Sequence, residues 1–240
     1  MPARPLVKKV RGYMDKHDRY LQLVQQRKAF RFTNGLLNPA QICGGKYDCD
    51  HVEPWARWQS NLDAKVLLIG QDFGGSNFFK EYHGDNNPGS QTNLNLMALF
   101  QSIGIELGPS NAPNPQAPVF LTNAIVGIVD ADGKAGTLSK IDLHPEWIEE
   151  SALRFIKPLI DLIAPKVIIA MSEVALQCLA CIYPKQVHVL TPFRRCVEAE
   201  PVCVAGSYIF PVYHCTRGSI NRNRNWDLQC GDWARIRNYL

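Results

Sequence analysis

Apolar positions in this chain follow two spacings. Four short runs are apolar at nearly every residue: 65–69 (Lys-Val-Leu-Leu-Ile), 118–123 (Pro-Val-Phe-Leu-Thr-Asn), 166–171 (Lys-Val-Ile-Ile-Ala-Met) and 208–213 (Tyr-Ile-Phe-Pro-Val-Tyr). Runs of that length, rich in Val, Ile and Leu, predict strands buried on both faces. Between them the apolar residues step by three and four. Leu96, Leu99, Phe100 and Ile103 predict a helix closed by Gly104. Pro145 opens another, carrying Ile148, Ala152, Phe155, Ile156 and Leu159, and Pro158 is expected to kink or end it. Ser172 is placed to cap a helix over 173–182, and Trp226, Trp233 and Ile236 mark a last one. The alternation predicts an α/β/α sandwich of three layers, with a central, mainly parallel sheet of four strands. Pro211 inside the last strand implies an edge position or a bulge.

Upstream, Leu6, Val10, Tyr13, Tyr20, Leu21 and Val24 predict an amphipathic helix over 5–28 with a basic outer face. Residues 33–64 show no regular period, and Trp55 and Trp58 are expected to dock them onto the body. The chain therefore divides into a basic helix with a docking segment (1–61) and an α/β domain (62–240). With 240 residues, 46% of them hydrophobic, it can bury one large core. No apolar run approaches the roughly 18 residues of a membrane span. No apolar stretch follows the basic N-terminus as in a signal peptide. A cytoplasmic monomer is expected.

Charge changes the picture. Residues 1–32 hold nine Lys or Arg against two Asp, and residues 214–240 five Arg against two Asp. The net charge is only +4, so the stretch between is acidic. Two basic ends point to a polyanion partner. The eight cysteines suit buried positions better than a disulfide framework. Cys178 and Cys181 sit in an apolar helical run and read as core. Cys43, Cys49 and His51 form a loop set that supplies potential zinc ligands, although a structural site takes four in tighter pairs.

The candidate chemistry gathers at the strand ends. The first strand stops at Gly70 and is followed by Gln71-Asp72-Phe73-Gly74-Gly75, which holds a carboxylate where open α/β sheets bind ligands. The other strands end on Asn123, Ser172 and His214. Parallel strands would bring an acid, an amide and an imidazole to one edge, with Ser172 left as a cap. Three polar loops lie over 83–93, 108–118 and 130–140, and the first follows the Asp72 loop closely enough to shape one wall of a pocket.

Gly70-Gln71-Asp72, then Leu121-Thr122-Asn123, then His214 with a polar loop after it, in that order and at those strand positions, resembles the uracil-DNA glycosylase superfamily over roughly residues 62–240. Asn93-Leu-Asn-Leu-Met-Ala-Leu-Phe100 resembles the helix after its first motif. Gly-Gln-Asp is closest to the uracil-excising branch. The chain departs from that pattern where Phe73-Gly74 replaces Pro-Tyr and where His214-Cys215-Thr216 replaces His-Pro-Ser. No cysteine lies between Gly127 and Ser151, so the cluster of the iron–sulfur branch is not expected. The resemblance implies a base flipped from DNA and held by Gly70, Gln71, Phe73 and Asn123, with Asp72 and His214 catalytic and no metal or organic cofactor. Phe73, Phe78 and Phe79 are candidates for stacking on that base.

In this chemistry Asn123 offers a donor and an acceptor to the O4 and N3–H edge of uracil. A neutral His214 stabilises charge developing on the departing base, and Asp72 orients water. The segment 216–225 (Thr-Arg-Gly-Ser-Ile-Asn-Arg-Asn-Arg-Asn) suits phosphate and minor-groove contact through Arg217, Ser219, Arg222 and Arg224, and the resemblance implies that Ile220 or Arg217 fills the hole left by the base. The leading expectation is a DNA glycosylase acting on uracil or a related deaminated base. A DNA- or damaged-base-binding protein of the same fold is the second. A hydrolase of a free nucleoside is the third, and it needs neither basic end.

Overall fold

A computed structural model describes residues 14–130 and 143–240. The chain opens with α1 (Lys16–Ala29), a two-residue strand β1 (Leu36–Leu37) and two 3-10 turns, Pro39–Gly45 and Pro54–Arg57. There follow β2 (Val66–Gly70), α2 (Ser76–Glu81), α3 (Gln91–Ser102), β3 (Val119–Asn123) and β4 (Ile128–Val129). The second half runs α4 (Pro145–Ser151), a π turn (Ala152–Ile156), α5 (Lys157–Ile163), β5 (Val167–Ala170) and α6 (Glu173–Ile182). It closes with α7 (Arg194–Glu198), β6 (Val202–Val204), β7 (Ser207–Pro211), α8 (Arg217–Arg222) and α9 (Trp226–Ile236).

The central sheet has the order β3-β2-β5-β7-β6, with β6 antiparallel and the rest parallel. The four expected strands are all present. Each buries both faces, and side-chain alternation divides them between two cores. Leu67, Ile69, Phe120, Ile168 and Ile209 pack with residues of α1, α4, α5 and α6. Val66, Leu68, Leu121, Ile169 and Phe210 pack with residues of α3 and α9, Trp233 among them. The result is helices on both faces of one sheet.

Three features of the sheet and its helices depart from the expectations above. The sheet has a fifth strand, β6, three residues long with Val202 and Cys203 exposed. It joins β7 through Ala205-Gly206, both at positive φ, the geometry of a tight hairpin. Pro211 therefore does not lie on an edge strand. It is tolerated because β6 pairs only with residues 207–209, so the proline nitrogen lies past the end of β6. Pro158 does not end its helix. The turn before it widens, with the Lys157 N–H bonded to Ala152 O, and the helix runs on to Ile163.

The N-terminal helix also differs. Residues 1–13 lie outside the described residues, so the apolar positions Leu6, Val10 and Tyr13 do too. Over α1 the buried face is Tyr20, Leu23, Val24 and Arg27, whereas Leu21 is exposed. Arg27 is wholly buried and donates to Asp48 Oδ1 at 2.5 Å and to the carbonyls of Cys49 and His51 at 2.7 Å. Lys16 and Lys28 pair with Asp63 and Asp50. Among the described residues, Lys16, Arg27 and Lys28 thus answer acids, Asp48 and Asp50 of the docking segment and Asp63 of the domain. Residues of segment 1–61 pack onto the body, with Tyr20, Leu36, Val52 and Ala56 sharing a core with Leu67 and Ile69. No helix among the described residues is long and apolar enough to cross a membrane.

Candidate active site

The carboxyl ends of β2, β3 and β7 open into one cleft of about 360 Å³, lined by Asp72, Asn123 and His214 together with Gln71, Phe73 and Gly74. The opposite wall comes from loop 83–93 and the start of α3, through Asn87, Ser90 and Asn93. Most of loop 130–140 lies outside the described residues. Ser172 takes no part in the cleft; its hydroxyl accepts from Ala175 N and caps α6.

Asn123 is buried at the end of β3, directly across from Gly70. Its Nδ2 donates to Glu53 Oε2 at 3.0 Å. Glu53 is itself fully buried and accepts from Trp55 N (3.0 Å) and Ala56 N (3.2 Å) at the start of a 3-10 turn. Burial pushes its carboxyl up to about 7, against these bonds and the positive charge of Arg27. Gly70 makes this arrangement possible. A Cβ there would overlap Asn123 Oδ1 and lie 2.7 Å from the Trp55 ring. Gly70→Ala is therefore expected to displace one of them and to destabilise the fold by about 2 kcal/mol, as overpacking does. Thermal unfolding of the variant checks this, and an unchanged midpoint would mean the space is not as tight as described.

Asp72 is held within its own loop. Its Oδ1 accepts from Gly74 N at 2.7 Å, and its Oδ2 accepts from Gln71 Nε2 at 2.8 Å. Gly74 adopts φ +99°, which a side chain would strain. Burial holds the Asp72 carboxyl above the usual carboxylate range, against both hydrogen bonds. His214 is half-buried, and its Nδ1 accepts from Thr216 N at 3.2 Å. The ring proton of neutral His214 must then sit on Nε2. Desolvation pushes the imidazole down to about 4, so the ring is neutral at pH 7. The His214 loop is anchored, with Asn95 Nδ2 donating to Cys215 O at 2.7 Å and the Cys215 side chain fully buried.

Of the three phenylalanines, Phe73 and Phe78 line the cleft and meet edge to face at 5.7 Å. Phe79 is wholly buried in the core and does not line it. Trp55 adds a third aromatic to the wall.

The segment after His214 forms α8, capped by Thr216 Oγ1 accepting from Ser219 N at 3.2 Å. Arg217 and Arg222 are exposed and Ile220 is half-buried. Ser219 and Arg224 do not join them on the surface. Ser219 is buried as part of the capped turn. Arg224 turns inward to Asp232 through two bonds of 2.9 and 2.7 Å, and its Nη1 donates to Glu198 at 2.9 Å. A guanidinium engaged on all sides in this way is structural.

The cysteine–histidine set of the N-terminal segment does not converge. Cys43 is exposed, Cys49 is buried beside Arg27, and His51 Nδ1 faces the Tyr20 hydroxyl at 3.2 Å. Among the described residues no three His, Cys, Asp or Glu side chains are placed to hold a metal ion. Glu53 and Trp55 are the site residues that sequence reasoning missed. Glu53-Pro54 does carry a signal, a polar cap before a first-turn proline, but a cap gives no hint that the same carboxylate reaches Asn123.

Comparison of the sequence with protein-family models gives no match, and comparison with curated proteins gives none either.

Proposed function

We propose that the cleft accepts a base swung out of a DNA strand, and that the protein hydrolyses the N-glycosidic bond of uracil or a related deaminated base. One observation carries this reading: an oriented amide, a neutral imidazole with its proton on Nε2 and a half-buried carboxylate share one aromatic-walled cleft. The volume falls within the usual range for small-ligand clefts. Phe73 and Phe78, which line the cleft and meet edge to face, are the phenylalanines placed to stack on a flat ring. Asn123 reads the polar edge of the base.

The reaction balances without a further reagent. Water oriented by Asp72 adds its oxygen to the anomeric carbon as the bond from that carbon to the base nitrogen breaks. The bonding pair leaves with the base, and the Nε2–H of His214 bonds to the oxygen on which that charge accumulates. The water proton passes to the Asp72 carboxylate, whose raised pKa suits the role. The meeting of Asp72, Asn123 and His214 in one cleft at the strand ends is what the resemblance to the uracil-DNA glycosylase superfamily implies, and it supports this reading.

A second reading, base binding without cleavage, is favoured by one feature: both oxygens of Asp72 already accept bonds inside their own loop. Cleavage separates the two. Labelled oligonucleotides carrying uracil, hypoxanthine, xanthine or hydroxymethyluracil are incubated with the protein and then treated with alkali. Strand scission at uracil is expected. Tight binding with intact strands would establish the second reading.

Arg217 and Arg222, exposed on α8 after His214, are assigned to phosphates. Arg222→Ala is expected to weaken DNA binding and to reduce the log–log salt slope by about one. It should leave the relative rates on different bases unchanged. A titration at several salt concentrations measures this, and an altered base preference would place Arg222 in the base pocket instead.

A further inference from the structure

We propose that Glu53 is a positioning residue that decides which pyrimidine the cleft accepts, by holding the Asn123 amide in one of its two orientations. This rests on the base-excision reading above. An asparagine amide can turn end for end with almost no change of shape, exchanging its donor and acceptor. Free to do so, Asn123 would match uracil, which offers O4 beside N3–H, and equally cytosine, which offers an amino group beside an unprotonated N3. Ionised, as it is above its pKa of about 7, the Glu53 carboxylate only accepts. With Nδ2 on Glu53 Oε2 at 3.0 Å the pair is satisfied, whereas the reversed amide would set Oδ1 against Oε2. Oδ1 and the second N–H of Nδ2 are left for the base.

Glu53 can impose this because it cannot itself turn away. The N–H groups of Trp55 and Ala56 hold its two oxygens, and no part of the residue is exposed. Gly70 leaves the room that Asn123 and Trp55 need at the same spot. The rise of the Glu53 carboxyl to about 7 reflects its burial, and Arg27 from α1 acts to keep it ionised. Capping a short 3-10 turn does not by itself require a glutamate reaching the base-reading amide, since shorter polar side chains cap as well.

The test is Glu53→Gln. A glutamine can donate or accept, so it no longer favours one orientation of Asn123. Single-turnover excision is measured on single-stranded oligonucleotides that differ only in one uracil or one cytosine. The uracil-to-cytosine ratio is expected to fall by roughly 10-fold or more, the worth of one charge-assisted hydrogen bond. A residue that merely caps its turn would slow both substrates together and leave the ratio where it was. Excision with an unchanged ratio would thus overturn the assignment alone. Failure of the wild-type protein to excise any base would overturn the reading beneath it as well. If the variant does not fold, wild-type protein decides by NMR. The two Asn123 amide protons, identified by their loss in Asn123→Asp, should be separated more widely than in a solvated asparagine, with the Glu53-bonded proton shifted downfield. A pair at the shifts of a solvated asparagine would overturn the assignment.

Discussion

Asp72→Asn is expected to lower single-turnover excision of uracil roughly 100-fold or more while DNA affinity changes little. The substitution keeps the size of the side chain and one acceptor oxygen for Gly74 N, which Asp72 Oδ1 now holds at 2.7 Å. What it removes is the charge that stabilises the sugar cation and the base that takes the water proton. Neither is needed until the bond begins to break, so the loss falls on the rate. His214→Ala should act alike, because the Nε2–H serves charge that exists only on the departing base. The two losses should combine to less than their product, as they do for groups that act in one step. The pH profile adds a signature. Asp72 must be ionised, and burial holds its pKa above the usual carboxylate range, so the rate should fall on acidification earlier than for an exposed aspartate. His214 stays neutral until about 4 and should add no limb near the ordinary imidazole value. Excision by Asp72→Asn at the wild-type rate would remove the role assigned to it.

Arg224→Ala, two residues beyond the end of α8, is expected to act on stability and not on DNA. Removing one partner of a buried pair leaves the other charge uncompensated. Here Asp232, buried, would lose both of its guanidinium bonds. The expected cost is about 3 kcal/mol, a fall in melting temperature of roughly 6–12 °C for a chain of this length. Removing the stranded charge too, in Arg224→Ala/Asp232→Ala, should recover part of the loss. Arg222→Ala, exposed, should leave the midpoint nearly unchanged. Calorimetry of the three variants beside DNA titrations gives the comparison. A stable Arg224→Ala protein with weakened DNA binding would return Arg224 to the phosphates.

These two arginines show where the sequence is legible and where it is not. Thr216 to Asn225 alternates Arg with Asn, and nothing local separates Arg222 from Arg224. The partners that turn Arg224 inward come from α9 and α7, and only the fold brings them together. The parallel strands are legible because burial on both faces leaves an unbroken apolar run. β6 is not, because a three-residue strand with two exposed positions has no such run. In α1 the apolar period admits Leu21 and excludes Arg27, yet Arg27 is the buried one, drawn in by Asp48 and two carbonyls. The strand-end positions of Asp72, Asn123 and His214 follow from strand direction alone and so reach the same cleft. Glu53 lies 70 residues before Asn123 in the chain, and no spacing rule connects them.

The account is tested most directly by following a uracil-containing oligonucleotide with the wild-type protein in water enriched in the heavy oxygen isotope. The strand and the released fragment are weighed by mass spectrometry. Hydrolysis at the glycosidic bond predicts free uracil without the label and an abasic strand carrying one heavy oxygen on the sugar. An oligonucleotide recovered intact, with no free base after long incubation at high protein concentration, would contradict the account.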